Sequence, residues 1–142
     1  MNLSDTPPDT GLQFPDQLIY RGYSAPVRME TEVHDLEVIG TLPPQLSGTY
    51  FRNSADPTYP PLLGQDIFLN GDGRVHSVRF EDGHADLLTR YVRTTKFELE
   101  RKARRALFGA YRNPFTDSPE VAGQDNNTAN TSVLWHHDRL YA

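Results

Sequence analysis

The sequence has 142 residues and a formal net charge of −5, with 37% hydrophobic and 23% charged residues. This composition is typical of one globular domain and excludes a disordered or membrane-spanning chain, while the acidic balance argues against general nucleic-acid binding. The absence of cysteine excludes disulfides and thiolate chemistry, and the first residues lack the layout of a secretory signal, so we predict a cytoplasmic protein.

The N-terminal region, residues 1–32, is rich in proline, aspartate and threonine and is predicted to be an extended arm, followed by an ordered domain over residues 33–142. Residues 33–39 predict a first strand that ends at Gly40. Residues 48–53 predict a better strand, because aromatic and β-branched side chains are concentrated there.

The central stretch, residues 67–80, predicts a strand, a tight turn and a second strand. Its Asn-Gly and Asp-Gly steps are the commonest route to the positive φ angles of a short hairpin turn. Val78 and Phe80 alternate with polar residues, as in a half-buried strand. Residues 81–83 offer a second turn and residues 84–94 a third strand, so the region predicts a three-stranded antiparallel meander.

One helix is predicted after the meander. Thr95 and Glu98 fit a capping box, and Gly109 lies where a C-terminal cap is expected. Apolar residues recur at helical spacing, at Leu99, Ala103, Ala106, Leu107 and Ala110. Opposite charges four residues apart predict two solvent-facing pairs, Glu98 with Lys102 and Glu100 with Arg104. The basic residues 101–105 favour a solvated face over a phosphate site.

The C-terminal region predicts a last hairpin, with a strand over residues 131–135, a turn at residues 136–138 and a return strand from Arg139. Trp135 is predicted to lie in the core. Because the return strand opens and is not completed, we expect the chain to be the N-terminal part of a longer protein.

Eight segments, taken together and in order, resemble the carotenoid cleavage oxygenase family. The segments are residues 40–43, 46–53, 70–73, 75–80, 90–94, 107–117, 128–131 and 136–140. The run 108–117 resembles the lignostilbene dioxygenase branch in particular. The sequence departs from the family at Asn70 and Arg74, where Asp and Met are usual, and at residues 53–57, where a loop glycine is lost.

The resemblance implies a seven-bladed β-propeller with a non-haem Fe(II) held by four histidines, which uses O2 to split a carbon–carbon double bond into two carbonyl products. Blades in repeat families take about 40 to 45 residues, so this chain is expected to be all-β with one helix and to form the N-terminal part of an incomplete ring. The implied substrate is a phenolic stilbene, cleaved to two aldehydes. A carotenoid or apocarotenoid substrate, and a non-catalytic truncated remnant, remain open as alternatives.

Two side chains are expected to contact substrate. By the resemblance, Tyr111 hydrogen-bonds the 4-hydroxyl of a stilbene, aided by a lysine beyond Ala142, and Phe68 or Leu69 lines the same cavity. Ordinary packing remains open for each of them.

The iron ligands implied by the family lie beyond Ala142, so no Fe(II) is expected to bind to this segment, and the segment alone is expected to be inactive. His76 is predicted to be a hydrogen-bonded core histidine rather than a ligand. His136 and His137 are adjacent on a turn, which predicts diverging side chains, and His34 and His84 lack partners at suitable spacing.

Overall fold

The computed structural model describes residues 12–142. Within them the chain is mostly β with a single α-helix, as the sequence predicts. Short 3₁₀ turns connect the regular elements. The strands and helix are β1 (Thr31–Val33), β2 (Gly48–Ala55), β3 (Gly73–Glu81), β4 (His84–Tyr91), α1 (Thr95–Ala103), β5 (Leu134–His136) and β6 (Arg139–Tyr141).

The main sheet has the order β1-β4-β3-β2, and every pairing in it is antiparallel. Strands β2, β3 and β4 form an antiparallel meander, in which β3 and β4 correspond to two of the three predicted strands. The tight turn between β3 and β4 consists of Asp82 and Gly83, whose φ angles of 51° and 83° are both left-handed. Such angles match the twist of the two flanking strands, which is why an Asp-Gly step occurs there.

The prediction for residues 67–80 is wrong in its first half. Phe68–Asn70 is a 3₁₀ turn, and the strand that pairs with β3 is β2. Gly73 is needed for close approach instead of a positive φ: its amide donates to the Thr128 carbonyl at 2.7 Å, and an added Cβ would lie 2.1 Å from the Ala129 carbonyl oxygen. Gly73 is thus a site where two segments of backbone pack closely, and the local sequence alone does not distinguish such a site from a turn.

The first strand is also shifted. β1 covers only Thr31–Val33, so it begins inside the segment predicted as an arm, and residues 34–39 form no strand. Asp35 has a left-handed φ of 57°, which redirects the chain after β1. The Leu36 amide then donates to the Ala85 carbonyl at 2.7 Å, outside the ladder.

Helix α1 begins and ends differently from the prediction. Thr94, one residue earlier than expected, caps it by accepting a hydrogen bond from the Phe97 amide at 3.1 Å. The helix ends where Arg104 takes a left-handed φ of 58°, well before Gly109. The predicted Glu100–Arg104 surface pair is wrong, because the Glu100 side chain is only 3% exposed and pairs with Lys96 instead.

The C-terminal hairpin is present but β5 starts three residues later than predicted, and its turn consists of His137 and Asp138, with φ angles of 48° and 58°. Trp135 is not a core residue. It is 57% exposed and stacks on Phe51 of β2, with ring centroids 6.3 Å apart.

The apolar core is small for a chain of this length. A cluster of Leu107, Phe108 and Val121 forms its centre, beside the helix. Many large apolar side chains remain exposed, and the sheet face that carries Phe51 and Leu88 forms an apolar cavity of about 320 Å³. Exposed apolar surfaces of this kind are typical of protein–protein contacts and ligand-binding grooves.

Candidate functional site

An open cavity of about 780 Å³ lies between the loop that follows α1 and the loop that precedes β5. Tyr111 lines one side and residues 126–132 line the other, and Leu69 also contributes. A cavity of this size falls within the range that holds small organic molecules. The structure thus brings together Tyr111 and Leu69, two of the residues that the sequence singled out.

The backbone that leads into Tyr111 is held by side chains, not by secondary structure. The Gly109 amide donates to Asp117 Oδ1 at 2.7 Å, and the Ala110 amide donates to Thr116 Oγ1 at 2.8 Å. The loop is also closely packed, since a Cβ added at Gly109 would lie 2.2 Å from Thr116 Oγ1. The Arg112 guanidinium carbon, Cζ, lies 5.2 Å from the centroid of the Tyr111 ring, in the range of a cation–π contact.

Two asparagines join the walls of the cavity. Asn130 Nδ2 donates to the carbonyls of Leu69 at 2.9 Å and Gly71 at 2.7 Å, so the loop before β5 is fastened to the 3₁₀ turn. Asn70 Nδ2 donates to the Gly109 carbonyl at 3.0 Å, which fastens that turn to the Tyr111 loop. The bond from Asn70 uses a side-chain amide N–H, which an aspartate at position 70 would not supply.

A buried charge cluster of Lys96, Asp72 and Glu100 borders a separate cavity that does not include Tyr111. Lys96 Nζ donates to Asp72 Oδ1 at 2.9 Å and to Glu100 Oε2 at 2.7 Å. Burial opposes the charge on Lys96, but the two carboxylates outweigh it and raise the pKa of the ammonium above its usual value. Asp72 Oδ2 also accepts from the Thr58 hydroxyl at 2.6 Å.

Sequence reasoning missed this cluster. Lys96 and Glu100 stand four residues apart on α1, which is a spacing that pairs charges, but the same spacing also joins Glu100 to Arg104. Nothing local decides between them. Asp72, 24 residues away in the sequence, decides between them, because it accepts a hydrogen bond from the Lys96 ammonium inside the protein.

A second buried cluster joins the N-terminal segment to the sheet. The Asp56 carboxylate accepts from the Val27 amide at 2.9 Å and from the Tyr91 hydroxyl at 2.8 Å, and its Oδ2 lies 3.4 Å from Arg74 Nη1. Burial and the Asp56 charge both raise the pKa of Tyr91. Tyr91 therefore stays protonated and acts as a hydrogen-bond donor.

His76 is half-buried on β3, and its Nε2 lies 3.1 Å from Ser54 Oγ. Burial, and then the positive charges of Arg74 and Arg52, lower its pKa below the usual 6.5. This environment agrees with the predicted hydrogen-bonded histidine.

The lowered pKa of His76 predicts a specific pH dependence. The unfolded chain takes up a proton at His76 more readily than the folded chain does. The contribution of neutral His76 to the free energy of unfolding is therefore present above pH 6.5. It is lost as the pH falls through the lower pKa of His76 in the folded chain. We expect His76→Gln to flatten the fall in the free energy of unfolding between pH 7 and pH 5, measured by urea denaturation. The exposed His34→Gln serves as the control, and an equal flattening there would contradict the prediction.

Phe68 lies outside the Tyr111 cavity. Its side chain is 47% exposed and borders two other cavities, one of which also includes Tyr23 and His76. A substrate-binding role for Phe68 thus stays a prediction, and in the described residues Leu69 is the neighbour that lines the wall beside Tyr111.

In residues 12–142, no group of three or more histidine, aspartate or glutamate side chains is placed to hold a metal ion. These residues do not fit the four-histidine iron site that the resemblance implies. The rings of His136 and His137 do not diverge as predicted but meet edge to face, with centroids 4.1 Å apart.

Comparison with known proteins identifies the family. The family model described as "Retinal pigment epithelial membrane protein" matches residues 24–142. The chain therefore belongs to this family, the carotenoid cleavage oxygenases, as the resemblance predicted. Its relatives place it in the lignostilbene dioxygenase branch. The crystal structure of Pseudomonas brassicacearum lignostilbene dioxygenase matches 91% of this chain at 44% identity, with a TM-score of 0.87, over 27% of its own length.

Two curated relatives agree with the structural match. Lignostilbene-α,β-dioxygenase isozyme III of Sphingomonas paucimobilis is 48% identical over 91% of this chain and 26% of its own length. Resveratrol cleavage oxygenase 1 of Chaetomium globosum is 47% identical over 94% of this chain and 22% of its own length. The chain thus spans about a quarter of the relatives it matches. None of the helices in the described part of the chain has the length and apolar character needed to cross a membrane.

Proposed function

We propose that this chain is the N-terminal segment of a non-haem Fe(II) dioxygenase that cleaves the central double bond of phenolic stilbenes with O2 to give two aldehydes. The observation that carries the proposal is the cavity between the loop after α1 and the loop before β5, which has Tyr111 in its wall. The chain that forms this cavity is 48% identical, over 129 residues, to a lignostilbene dioxygenase. The iron-binding histidines belong to residues beyond Ala142 in this proposal. The exposed apolar sheet face supports an incomplete seven-bladed ring that the following residues close.

Tyr111 has a defined chemical task in this function. Its hydroxyl donates a hydrogen bond to the 4-oxygen of the stilbene and stabilises the phenolate form. The phenolate pushes electron density through the ring into the double bond, which makes that bond more reactive toward O2. A donor fixed in advance at the site of developing charge needs no reorganisation during the reaction, and the side-chain contacts of residues 109 and 110 provide that fixation.

Tyr111→Phe tests the substrate contact. In the longer polypeptide that includes the residues after Ala142, we expect kcat/KM for 4-hydroxystilbene to fall about tenfold to a hundredfold, because a hydrogen bond to a charged oxygen is lost. The analogue 4-methoxystilbene cannot form a phenolate, so its kcat/KM should change little. Tyr50→Phe, an exposed site on β2, is the matched control.

Equal loss on both stilbenes would contradict a contact with the 4-oxygen. Faster cleavage of an apocarotenoid than of 4-hydroxystilbene by the unaltered polypeptide would instead favour a carotenoid-type substrate.

A further inference from the structure

Four consecutive backbone amides lead into Tyr111, and each of them donates to a side-chain acceptor. Gly109 and Ala110 use Asp117 and Thr116, as described above. The two preceding amides both use one carboxylate oxygen, Glu100 Oε1, which accepts from Leu107 at 2.9 Å and from Phe108 at 3.1 Å. Glu100 is therefore the point at which this loop is joined to helix α1.

The Glu100 carboxylate is itself held rigidly. The residue is 2% exposed, and its second oxygen, Oε2, accepts from Lys96. Lys96 in turn is bound to Asp72, which directly precedes the glycine packed against the far wall of the cavity. With both oxygens occupied, the carboxylate has one orientation, so its two amide partners have one position.

We infer that Glu100, oriented by Lys96, is a positioning residue that sets where the Tyr111 hydroxyl lies in the cavity. This inference rests on the proposed role of Tyr111 as the contact for the 4-oxygen of a phenolic substrate. Displacement of a positioned group by about 1 Å lowers rates by up to a hundredfold. Loss of the two amide contacts is therefore expected to lower kcat/KM although Glu100 touches no substrate. KM should rise as well, because the hydrogen bond from Tyr111 to the 4-oxygen also holds the bound substrate.

Two substitutions of equal charge separate positioning from electrostatics. Glu100→Gln keeps an oxygen that accepts from the Leu107 and Phe108 amides, whereas Glu100→Leu removes it. Both variants lose the acceptor for Lys96, because the glutamine NH2 is a donor, so the difference between them reports the amide contacts. In the longer polypeptide we expect Glu100→Leu to raise KM for 4-hydroxystilbene about tenfold over Glu100→Gln, with a smaller change in kcat. Glu98→Gln, an exposed carboxylate on the same helix, should leave KM unchanged.

A third variant and a structural readout complete the test. Glu100→Asp keeps the charge but is too short to reach both amides, so it should raise KM as Glu100→Leu does, and it replaces that variant if the leucine substitution prevents folding. Hydrogen exchange at residues 107–110 should be about tenfold faster in Glu100→Leu or Glu100→Asp than in Glu100→Gln. In a Tyr111→Phe background, the KM difference should fall below twofold.

The possible failures can be told apart. Equal exchange rates in Glu100→Gln and the variants without the contact would overturn the positioning role and leave the Tyr111 contact standing. Faster exchange with no effect of Tyr111→Phe on kcat/KM for 4-hydroxystilbene would overturn the Tyr111 contact, and this inference with it. A KM difference that persists in the Tyr111→Phe background would show that Glu100 acts by another route.

Discussion

Lys96→Met is expected to lower the free energy of unfolding by about 3–5 kcal/mol, because it leaves two buried carboxylates without their cation. Asp72 and Glu100 have side chains that are 1% and 3% exposed, so water does not replace the lost ammonium. The pKa of Lys96 is raised above 10.5 in the folded chain. Its contribution is therefore fully present at pH 7 and disappears only as the pH rises through the folded pKa.

The measurement is urea denaturation followed by circular dichroism at pH 7. Lys102→Met is the matched control, because Lys102 lies on the same helix with its side chain exposed, and we expect it to change stability by less than about 0.5 kcal/mol. If Lys96→Met costs no more than Lys102→Met, the buried cluster does not stabilise the fold as described here.

Gly73→Ala is expected to cost about 3 kcal/mol, at the upper end of the usual range for overpacking. The added Cβ would lie 2.1 Å from the Ala129 carbonyl oxygen and 2.7 Å from that of Thr128, and both are backbone atoms with little freedom to move. The loop before β5 must shift, and the hydrogen bond from the Gly73 amide to Thr128 is lost with it. Because this loop forms one wall of the Tyr111 cavity, activity of the longer polypeptide should fall as well.

Gly71→Ala provides a graded comparison for the same segment. Its added Cβ would lie 3.1 Å from Pro57 Cδ and 3.2 Å from both Ala55 Cβ and the Asp56 amide nitrogen, so the contacts are much less severe than those at Gly73. We expect a loss of about 1 kcal/mol, toward the low end of the overpacking range. Denaturation curves for both variants check the order, and a larger loss at Gly71 than at Gly73 would contradict the packing described for this crossing.

The elements that were predicted correctly are those specified by neighbouring residues. β3 follows from alternation between apolar and polar side chains, and β4 from a run rich in Leu, Tyr, Val and Thr. The turn between them follows from the Asp82-Gly83 step. The helix was found from its spacing and its threonine cap, within one residue at its start. Each of these signals acts over a few residues, which is the range that a sequence pattern covers.

The features that were missed depend on contacts between distant parts of the chain. Gly73 was assigned to a turn because nothing near it in the sequence indicates its contact with Ala129. Ala129 lies 56 residues further on and leaves no space for a side chain at position 73. Glu100 was placed on the surface because Asp72, which draws Lys96 inward, is not on the helix.

Of the candidate site, the sequence supplied Tyr111 and Leu69 through resemblance. The residues that hold their loops in place, Asn70, Asn130 and Glu100, became recognisable only in the structure. Contacts between residues distant in sequence thus account both for the errors in the predicted fold and for the site residues that the prediction missed.

The most direct test of the account compares the 142-residue chain with the polypeptide that extends beyond Ala142, by measuring bound iron and 4-hydroxystilbene cleavage on both. We predict that the longer polypeptide binds about one iron per molecule and releases two aldehydes, and that the 142-residue chain does neither. Cleavage by the 142 residues alone, or an iron-loaded longer polypeptide that cleaves no double bond, would contradict the account.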